Sequence, residues 1–476
     1  MPKKTALQEL KKRLGSSVKT DANNLYWKSF DSSKLAFNID AVIQPKNDKE
    51  IGVLLKLANK FKVPVTTRGS GTCLTGAASP LKGGWVLDLS GWKKVRIDAN
   101  SGMAYVETGA VLETIKQKAE RVGWYYPPDP SSKRFCSIGG TIACNAGGMT
   151  GAKYGVTRDY VYALEGFLPN GEFVRWGADV RKYVSGYNMK DLWVGSEGTL
   201  GVITRAVMRL IPKPPLKWTV LVAFKSDSRA LAAIRALIKS RLIPSILEFL
   251  DDETVLCAER RTGKPFFPGV GQTPMVLLEL DGYKESVERD RKKVLAWAKE
   301  RGLKYSETYD FDEAEKLWQV RRQSSPAMYE MGNTKLNEDI VVPLRNQAIF
   351  MRFINKLKKE TGLAIPTFGH AADGNFHVNI MFNRGDKAHE RIAKKAVIKL
   401  MKTVVELGGA ITGEHGVGLA KSPFLKFQHN KAEIAAMRAI KEVLDPNNIM
   451  NPGKIFEPYV VWDKIPEEVH LPWDHK

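Results

Sequence analysis

The sequence predicts an α+β protein with two main domains. Short apolar strands and amphipathic helices alternate from Ala41 onward, which is typical of mixed α and β structure. Glycine-rich loops are concentrated between residues 68 and 201. Three prolines then interrupt the pattern and indicate a domain boundary: Pro212, Pro214 and Pro215. The 476 residues, 43% of them apolar, are sufficient for more than one hydrophobic core.

The first domain is predicted at residues 41–213, after a lead-in of residues 1–40 that holds a helix at Ala6–Leu14 and a loop. Asp48 is expected to cap the first helix of the domain itself. The predicted elements are strand Ala41–Ile43, helix Asp48–Phe61, strands Val63–Thr67, Gly84–Leu89 and Ala104–Thr108, helix Val111–Arg121 and strand Val202–Leu210.

The second domain is predicted at residues 214–450, and residues 451–476 return to the first domain in an extended form. Strands alternate here with helices, which indicates an antiparallel sheet. The strands are Trp218–Phe224 and Met275–Leu280, and the helices are Ser228–Ser240 and Tyr283–Glu300. Two later helices each precede a segment that contains histidine: Asn346–Thr361 and Lys387–Leu407.

A glycine loop at residues 68–76 (RGSGTCLTG) follows a predicted strand and is suited to binding phosphate. Glycines allow backbone N–H groups to converge on an anion, and nearby hydroxyls add contacts. The spacing is not the G-x-G-x-x-G of a Rossmann helix, so a nicotinamide-binding domain is disfavoured. By itself the loop could be a plain glycine turn. Similar loops at residues 137–148 and 195–201 favour a long ligand with a pyrophosphate and a planar ring.

Two segments near the C-terminus, residues 370–379 and 413–418, carry three of the seven histidines. In the first segment a loop leads into a strand whose alternation places His377 and Asn379 on one face. Two imidazoles and a carboxylate then offer an N/N/O metal site with open positions: His370, His377 and Glu414. His415 would be free to act as a base. Unrelated histidines beside ordinary glycine turns are the competing interpretation.

The chain carries a net charge of +21, which suits nucleic acid, an anionic membrane surface, or an acidic substrate or partner. The lysines are spread along helices and no nucleic-acid-binding signature accompanies them, so we predict no nucleic-acid partner. No apolar run is long enough for a membrane span, and the four cysteines show no disulfide spacing. These features predict a cytoplasmic protein. Peripheral contact with the inner face of the membrane, and a homodimer, stay open.

Seven motifs in order resemble one family of flavoproteins. They are RGSGTCLTG, PPDPSSKRFCSIGGTIACNAGG, YGVTRDYV, GSEGTLGVIT, HAADGNFHVN, GEHGVG and NPGKIF, and they cover about residues 40–456. The family is that of the FAD-dependent D-2-hydroxyacid dehydrogenases in the vanillyl-alcohol oxidase superfamily. It includes cytochrome-type D-lactate dehydrogenase, D-2-hydroxyglutarate dehydrogenase and the flavin subunit of glycolate oxidase. The resemblance implies a PCMH-type FAD-binding domain followed by an α+β cap domain.

The resemblance also implies which residues contact FAD. The pyrophosphate loop would contain Arg68, Gly69, Ser70, Gly71, Thr72 and Gly76. The segment beside the ribityl chain and flavin ring would contain Asp129, Ser131, Ser137, Gly139, Gly140, Thr141, Ala143, Asn145 and Gly147. The remaining contacts would be Glu197, Gly198, Val202, Ile203 and Asn451. Superfamily members that bind FAD covalently often have a histidine in the first loop; here Thr72 and Cys73 stand there, so we expect non-covalent FAD.

By the same resemblance, His370, His377 and Glu414 are expected to bind a divalent metal, with zinc as the expected ion, and His415 to be the base. Substrate contacts are expected at Arg321, Ser325 and Asn379. One departure concerns substrate size. Where the hydroxyglutarate enzymes have a lysine two residues before the aspartate, this chain has Asn337 before Asp339. That substitution favours a small monoacid such as D-lactate or glycolate.

The implied reaction is metal-assisted deprotonation of the hydroxyl with hydride transfer to flavin N5, which yields a 2-keto acid. Electrons would pass to a cytochrome, a quinone or a separate iron–sulfur protein. Two other functions compete with this one. One is a non-catalytic FAD-binding subunit of a larger dehydrogenase, and the other is a flavoenzyme like alkyl-dihydroxyacetone-phosphate synthase.

Overall fold

The computed structural model describes residues 2–472, so residue 1 and residues 473–476 of the predicted lead-in and tail lie outside it. The first sheet has four strands in the order β1-β2-β4-β3, with β2 and β3 parallel to β4. Its elements are α1 (Pro2–Leu14), β1 (Val18–Lys19), α2 (Ala22–Lys28), β2 (Ala41–Ile43), α3 (Asp48–Phe61), β3 (Val65–Arg68) and β4 (Trp85–Asp88).

The helix α3 shows why these residues fold as predicted. Its apolar side chains recur at helical spacing and are fully buried: Ile51, Leu54, Leu55 and Ala58. The prediction that Asp48 caps this helix is wrong. Asn47 is the cap, because its side chain accepts a hydrogen bond from the amide of Glu50, and Asp48 is the first helical residue. The lead-in also holds more than a helix and a loop, since α1 packs on α3 and β1 joins the sheet.

The second sheet is antiparallel with the order β5-β6-β10-β8-β9. Its region contains β5 (Val95–Asp98), β6 (Met103–Glu107), α4 (Leu112–Glu120), β7 (Trp124–Tyr125), α5 (Ile138–Cys144), α6 (Gly151–Tyr154), β8 (Val161–Phe167), β9 (Phe173–Gly177), α7 (Met189–Trp193) and β10 (Val202–Arg209). The glycine-rich stretch after Ser137 is a helix, α5, and not the predicted loop. The Ser137 hydroxyl caps it, and Ile138 and Ile142 are buried one turn apart.

The second domain contains the predicted antiparallel sheet, with seven strands in the order β15-β12-β14-β13-β17-β18-β16. The short strand β11 (Ile211–Pro212) precedes it. The strands are β12 (Leu216–Ala223), β13 (Ile246–Leu250), β14 (Met275–Gly282), β15 (Lys304–Thr308), β16 (Thr334–Val341), β17 (Thr367–His370) and β18 (Asn375–Phe382). The helices are α8 (Asp227–Lys239), α9 (Asp252–Thr262), α10 (Lys284–Arg301), α11 (Phe311–Arg322), α12 (Ser324–Ala327), α13 (Gln347–Thr361), α14 (Lys387–Glu406), α15 (Leu425–Gln428) and α16 (Lys431–Leu444).

After α16 the chain returns to the first sheet. Met450 forms a parallel bridge with Val65, and the amide of Asn451 donates to the Val65 carbonyl at 2.8 Å. From Asn451 to Phe456 the chain forms successive turns instead of the predicted extended segment, with positive φ at Asn451 and Gly453. None of the described helices is long and apolar enough to cross a membrane.

Candidate active site

Two neighbouring strands bring the predicted histidines together. His370 is the last residue of β17, and His377 lies on the antiparallel strand β18, where it pairs with Phe368. The two imidazole rings are 5.3 Å apart and nearly perpendicular. One donor atom from each of His370, His377 and Glu414 lies within 4.8 Å of the others. The structure therefore assembles the N/N/O donor set that was inferred from two separate segments.

A buried carboxylate, Asp339 on β16, holds the loop that carries Glu414 and His415. Its Oδ2 atom accepts hydrogen bonds from the hydroxyl of Thr412 and from three successive backbone amides, those of residues 413–415, at 2.8 to 3.0 Å. Its Oδ1 atom accepts from Asn375 Nδ2 at 2.7 Å. Burial alone would raise the pKa of Asp339, but His415, His377 and the backbone amides outweigh burial and lower that pKa well below its ordinary value.

The electrostatics keep His377 neutral. Burial is the largest effect on this side chain and lowers its pKa to about 3, despite the Asp339 carboxylate at 3.9 Å. A metal-binding histidine has to be deprotonated on the ligating nitrogen. His377 meets that requirement at neutral pH.

His370 lies between two carboxylates. Its Nδ1 atom is 2.5 Å from Glu248 Oε1, and its Nε2 atom is 3.3 Å from Glu414 Oε1. Burial would lower the pKa of His370, but these carboxylates outweigh burial and raise it well above its ordinary value. A cation between His370 and Glu414 would take the place of the proton on Nε2.

The imidazole of His415 lies beside the candidate metal ligands. It stacks on His377 with ring centroids 5.6 Å apart and an interplanar angle of 25°. Its backbone is held at both ends, because the amide donates to Asp339 and the carbonyl accepts from the Thr75 hydroxyl at 3.2 Å. Within the described part of the chain, no hydrogen bond ties down the ring nitrogens.

Hydrogen bonds to each of the three glycine-rich segments join this cluster to the first domain. The amide of Gly148 donates to Glu414 Oε1 at 2.6 Å. Thr75 of the first glycine loop donates to the carbonyl of His415. The two carboxylate oxygens of Glu197 accept from the amides of Val417 and Gly418 at 2.7 and 2.8 Å. The histidine cluster and all three glycine-rich segments therefore meet at one place.

The first glycine loop presents unused backbone donors. Across residues 2–472, the six consecutive amides from Gly71 to Gly76 donate to no protein acceptor. Gly71 has φ +75°, and a Cβ atom there would lie 2.2 Å from the Arg68 guanidinium. That guanidinium is buried and donates to the carbonyl of Phe30. Arg68 therefore supports the loop from beneath, while the open amides are available to a phosphate.

Several other predicted FAD contacts lie near the junction, which is the region where the histidine cluster meets the three glycine-rich segments. The Ser137 hydroxyl accepts from Gly140 and is 3.4 Å from the amide of Ser70, so the first loop touches the start of α5. Ala143 accepts a hydrogen bond from the amide of Glu197. The predicted contacts Gly69, Thr72, Gly139, Thr141, Asn145, Gly147 and Gly198 belong to the three glycine-rich segments, and Val202 and Ile203 begin β10 directly after the third segment.

Two predicted residues have roles already visible within the protein. Asp129 is paired with Lys116 and Lys133 at 2.9 Å; burial would raise its pKa, but the two lysines outweigh burial and lower it to about 2. Ser131 beside it is exposed. The Asn451 amide is buried and donates to the carbonyls of Ala77 and Glu197, so it ties the returning chain to two glycine segments.

The predicted substrate contacts differ in how open they are. Arg321 lies near the end of α11. Its Nε atom donates a hydrogen bond to Glu248 Oε2 at 2.7 Å, and its guanidinium stacks on the Phe368 ring. Ser325 follows on α12 and accepts from Lys335 Nζ at 2.7 Å. Asn379 is fully buried, and its amide bonds to Asn337, Pro366 and His377. The structure thus places Asn379 as support for the strand pair, opposite Asn337 on β16.

Two residues of the site were not predicted as functional: Glu248 and Asp339. Glu248 is the one charged residue in the buried strand β13, with sequence ILEFL. A carboxylate inside an apolar strand is costly to bury unless it is paired, and that signal was available in the sequence. Its partners, His370 and Arg321, lie more than seventy residues away and could not be read from it.

The residues present fit both groups that the sequence implied. Two imidazoles and a carboxylate within 4.8 Å suit a divalent metal, and His370 is oriented by a carboxylate behind it, as is usual for metal-bound histidine. Open backbone amides in a glycine loop suit a pyrophosphate. The fold and the site together are those of a flavoprotein. Its cap domain places histidine and carboxylate side chains against the glycine-rich segments of the first domain.

Comparison with known proteins identifies the family. Residues 39–177 match the FAD binding domain family, and residues 213–455 match the family of FAD linked oxidases, C-terminal domain. The chain belongs to the FAD-linked oxidases and is an FAD-dependent oxidoreductase. The resemblance drawn from the motifs is therefore confirmed.

Individual relatives agree with this assignment. The chain is 39% identical to the glycolate oxidase subunit GlcD of Bacillus subtilis, over 88% of this chain and 89% of that protein. It is 34% identical to a D-lactate dehydrogenase of Anaerostipes hadrus, over 87% of this chain and 89% of that protein. The structure of p-cresol methylhydroxylase with substrate bound has a TM-score of 0.78, at 17% identity and 96% and 97% coverage, and it confirms the PCMH-type fold.

Proposed function

We propose that this protein oxidises a D-2-hydroxy acid, D-lactate or glycolate in preference, to the 2-keto acid. The observation that carries the proposal is that His415 stacks on the His370/His377/Glu414 cluster where Gly148 of a glycine-rich segment reaches Glu414, while Arg321 shares the Glu248 carboxylate with His370. The relatives named glycolate oxidase subunit and D-lactate dehydrogenase support the substrate class. Asn337, which stands where the hydroxyglutarate enzymes have a lysine, supports a monoacid.

Each side chain has a separate task in the proposed reaction. The guanidinium of Arg321 binds the substrate carboxylate, because its planar fork matches two oxygens. His415 accepts the proton of the α-hydroxyl, which a positioned imidazole does well near neutral pH. Asp339 fixes the backbone of the loop, so that Glu414 and His415 keep their places.

The two bound groups supply the rest of the chemistry. FAD, when bound, provides the hydride acceptor for the substrate Cα–H bond. A divalent metal, when bound by His370, His377 and Glu414, provides Lewis-acid polarisation of the hydroxyl; zinc is the ion we favour. Loss of one proton to His415 and one hydride to the flavin balances the conversion of a hydroxy acid to a keto acid.

The electrons then leave for a second acceptor. We propose a cytochrome, a quinone or a separate iron–sulfur protein, since the chain has four scattered cysteines and none of the spacings that hold a cluster. The net charge of +21 would draw an anionic substrate toward the protein.

The test is an anaerobic titration of the FAD-loaded protein with D-lactate, glycolate and D-2-hydroxyglutarate, followed by flavin absorbance. We expect the flavin band to bleach with D-lactate or glycolate at lower concentration than with D-2-hydroxyglutarate, and L-lactate serves as the stereochemical control. A flavin that stays oxidised with every hydroxy acid, yet is reduced by dithionite, would overturn the proposal and favour a non-catalytic FAD-binding subunit.

A further inference from the structure

We infer that Glu248 is a positioning residue that orients the metal ligand His370 and the substrate-binding Arg321 with a single carboxylate. The inference rests on the proposed function for the roles of these two partners. It goes further because it gives a role to β13, a strand with no predicted site residue. Glu248 on this strand holds the proposed metal ligand and the proposed substrate-binding arginine in a fixed relative position.

The geometry around Glu248 is closed and specific. The side chain has no exposed surface, and on the sheet Glu248 is registered directly against His370 of β17. Oε1 lies 2.5 Å from His370 Nδ1, and Oε2 lies 2.7 Å from Arg321 Nε. Each carboxylate oxygen therefore serves one partner, so the two partners cannot move independently.

The contact with His370 decides which ring nitrogen is available to a metal. A carboxylate is only an acceptor, so Nδ1 carries a proton and donates to Glu248. The opposite nitrogen, Nε2, then faces Glu414 at 3.3 Å. A carboxylate behind a histidine fixes both its tautomer and its ring orientation, and loss of such a partner typically weakens metal binding.

The contact with Arg321 leaves the right atoms for a substrate. Glu248 occupies Nε, and across residues 2–472 the two terminal nitrogens donate to no protein group. The guanidinium also lies over the Phe368 ring, 4.3 Å from its centroid, which holds the plane of the fork. A two-oxygen acid group then meets a fork whose direction is already set.

A purely structural role is the competing explanation, because any buried carboxylate needs partners. Glu279 on the neighbouring strand β14 shows what such a role looks like. It is also buried, and its Oε1 accepts from Trp318 Nε1 at 2.7 Å and from the Thr219 hydroxyl at 3.1 Å. Neither partner belongs to the site. Glu279 is therefore a matched control for loss of a buried carboxylate.

The experiment compares E248Q with E279Q in the FAD-loaded protein after removal of metal by a chelator. Glutamine has the same shape but only one acceptor oxygen, so it cannot accept hydrogen bonds from both His370 Nδ1 and Arg321 Nε. Zn²⁺ binding is measured by calorimetry, and FAD content and thermal unfolding are measured beside it. We expect E248Q to retain FAD and to bind Zn²⁺ about 10- to 100-fold more weakly. E279Q should bind Zn²⁺ as the unmodified protein does.

Equal Zn²⁺ affinity in E248Q and the unmodified protein would overturn the inference, as would equal weakening in E248Q and E279Q. If E248Q fails to fold, E248D provides the test. It keeps the charge but shortens the reach, and we expect weakened Zn²⁺ binding together with a raised KM for D-lactate. Normal values of both in E248D would also overturn the inference.

These outcomes are separate from those of the proposed function. Zn²⁺ binding does not depend on turnover. A protein whose flavin no hydroxy acid reduces, but whose Zn²⁺ affinity falls in E248Q alone, would retain the positioning role of Glu248 while losing the proposed reaction.

Discussion

The two sides of the junction are built on different principles. On the FAD side, six consecutive amides from Gly71 to Gly76 offer backbone donors, and the nearby Arg68 is turned inward to the carbonyl of Phe30. On the cap side, two buried carboxylates make the central contacts: Glu248 holds two side chains, and Asp339 holds a loop. The FAD side therefore depends on local chain geometry, whereas the cap side depends on pairs of residues far apart in sequence.

The difference implies that changes on the cap side should affect the reaction while sparing FAD binding, and that changes on the FAD side should do the reverse.

The largest effect is expected from removal of the metal. Dialysis against a strong chelator should abolish turnover with flavin still bound, and Zn²⁺ should restore it, because the proposed ligands His370, His377 and Glu414 would then lack the cation that polarises the substrate hydroxyl. Full turnover in metal-free protein, checked by elemental analysis, would contradict the metal site.

His415→Ala should lower kcat by roughly 10²- to 10⁴-fold, the usual contribution of a general base. FAD content should not change, because the hydrogen bond that joins His415 to the glycine loop uses its backbone carbonyl. His429→Ala is the control, since His429 is paired with Glu433 on the surface. Stopped-flow flavin reduction measures the effect, and near-normal reduction by the alanine variant would remove His415 from the mechanism.

Asp339→Asn should destabilise the cap side by about 2–4 kcal/mol, because an amide cannot accept from all the donors that the carboxylate serves. The folded-state pKa of Asp339 is lowered from an ordinary 3.8, so its stabilisation is present above that pH and is lost as pH falls below it. The difference in unfolding free energy between the two proteins should therefore shrink in acid. Denaturant titrations at several pH values measure this, and a constant difference would contradict it.

Arg321→Ala should act mainly on substrate binding. Loss of a charge-assisted bidentate contact costs about 1.5–3 kcal/mol, so the KM for D-lactate should rise roughly 10- to 100-fold. Arg321→Lys should restore part of the loss, since lysine lacks the planar fork. Arg322→Ala is the control, because Arg322 is exposed and paired with Glu315. Steady-state kinetics that show equal effects at both arginines would contradict the assignment.

The smallest effect is expected on the FAD side. Gly71→Ala imposes a left-handed backbone strain of about 1–2 kcal/mol and pushes a Cβ atom against the Arg68 guanidinium. Gly123→Ala imposes the same strain, with φ +78° and no atom within 4 Å of the added carbon. FAD affinity should therefore fall in the first variant and not in the second. Equal FAD affinity in the two variants would place the pyrophosphate elsewhere.

Local pattern was enough to predict the fold class and several of the long helices, among them α3, α8, α10, α13 and α14. The stripe Ile51, Leu54, Leu55 and Ala58 predicted the bounds of α3, and period-two alternation placed His377 and Asn379 on one face of β18. The helix α5 was missed because two adjacent glycines suggested a loop, while the cap at Ser137 and the buried Ile138 and Ile142 decided for a helix. The cap of α3 was missed by one residue, since Asn47 and Asp48 are both good caps.

By itself the sequence determined the family, the fold class and the identity of the metal-ligand candidates, because these depend on short segments whose chemistry is local. Only the tertiary structure decided what stands behind those residues. Glu248 contacts His370 on the neighbouring strand. Asp339 accepts hydrogen bonds from the loop that carries Glu414, more than seventy residues further along the chain. Such pairings follow from sheet register and burial of charge, which no short stretch of sequence contains.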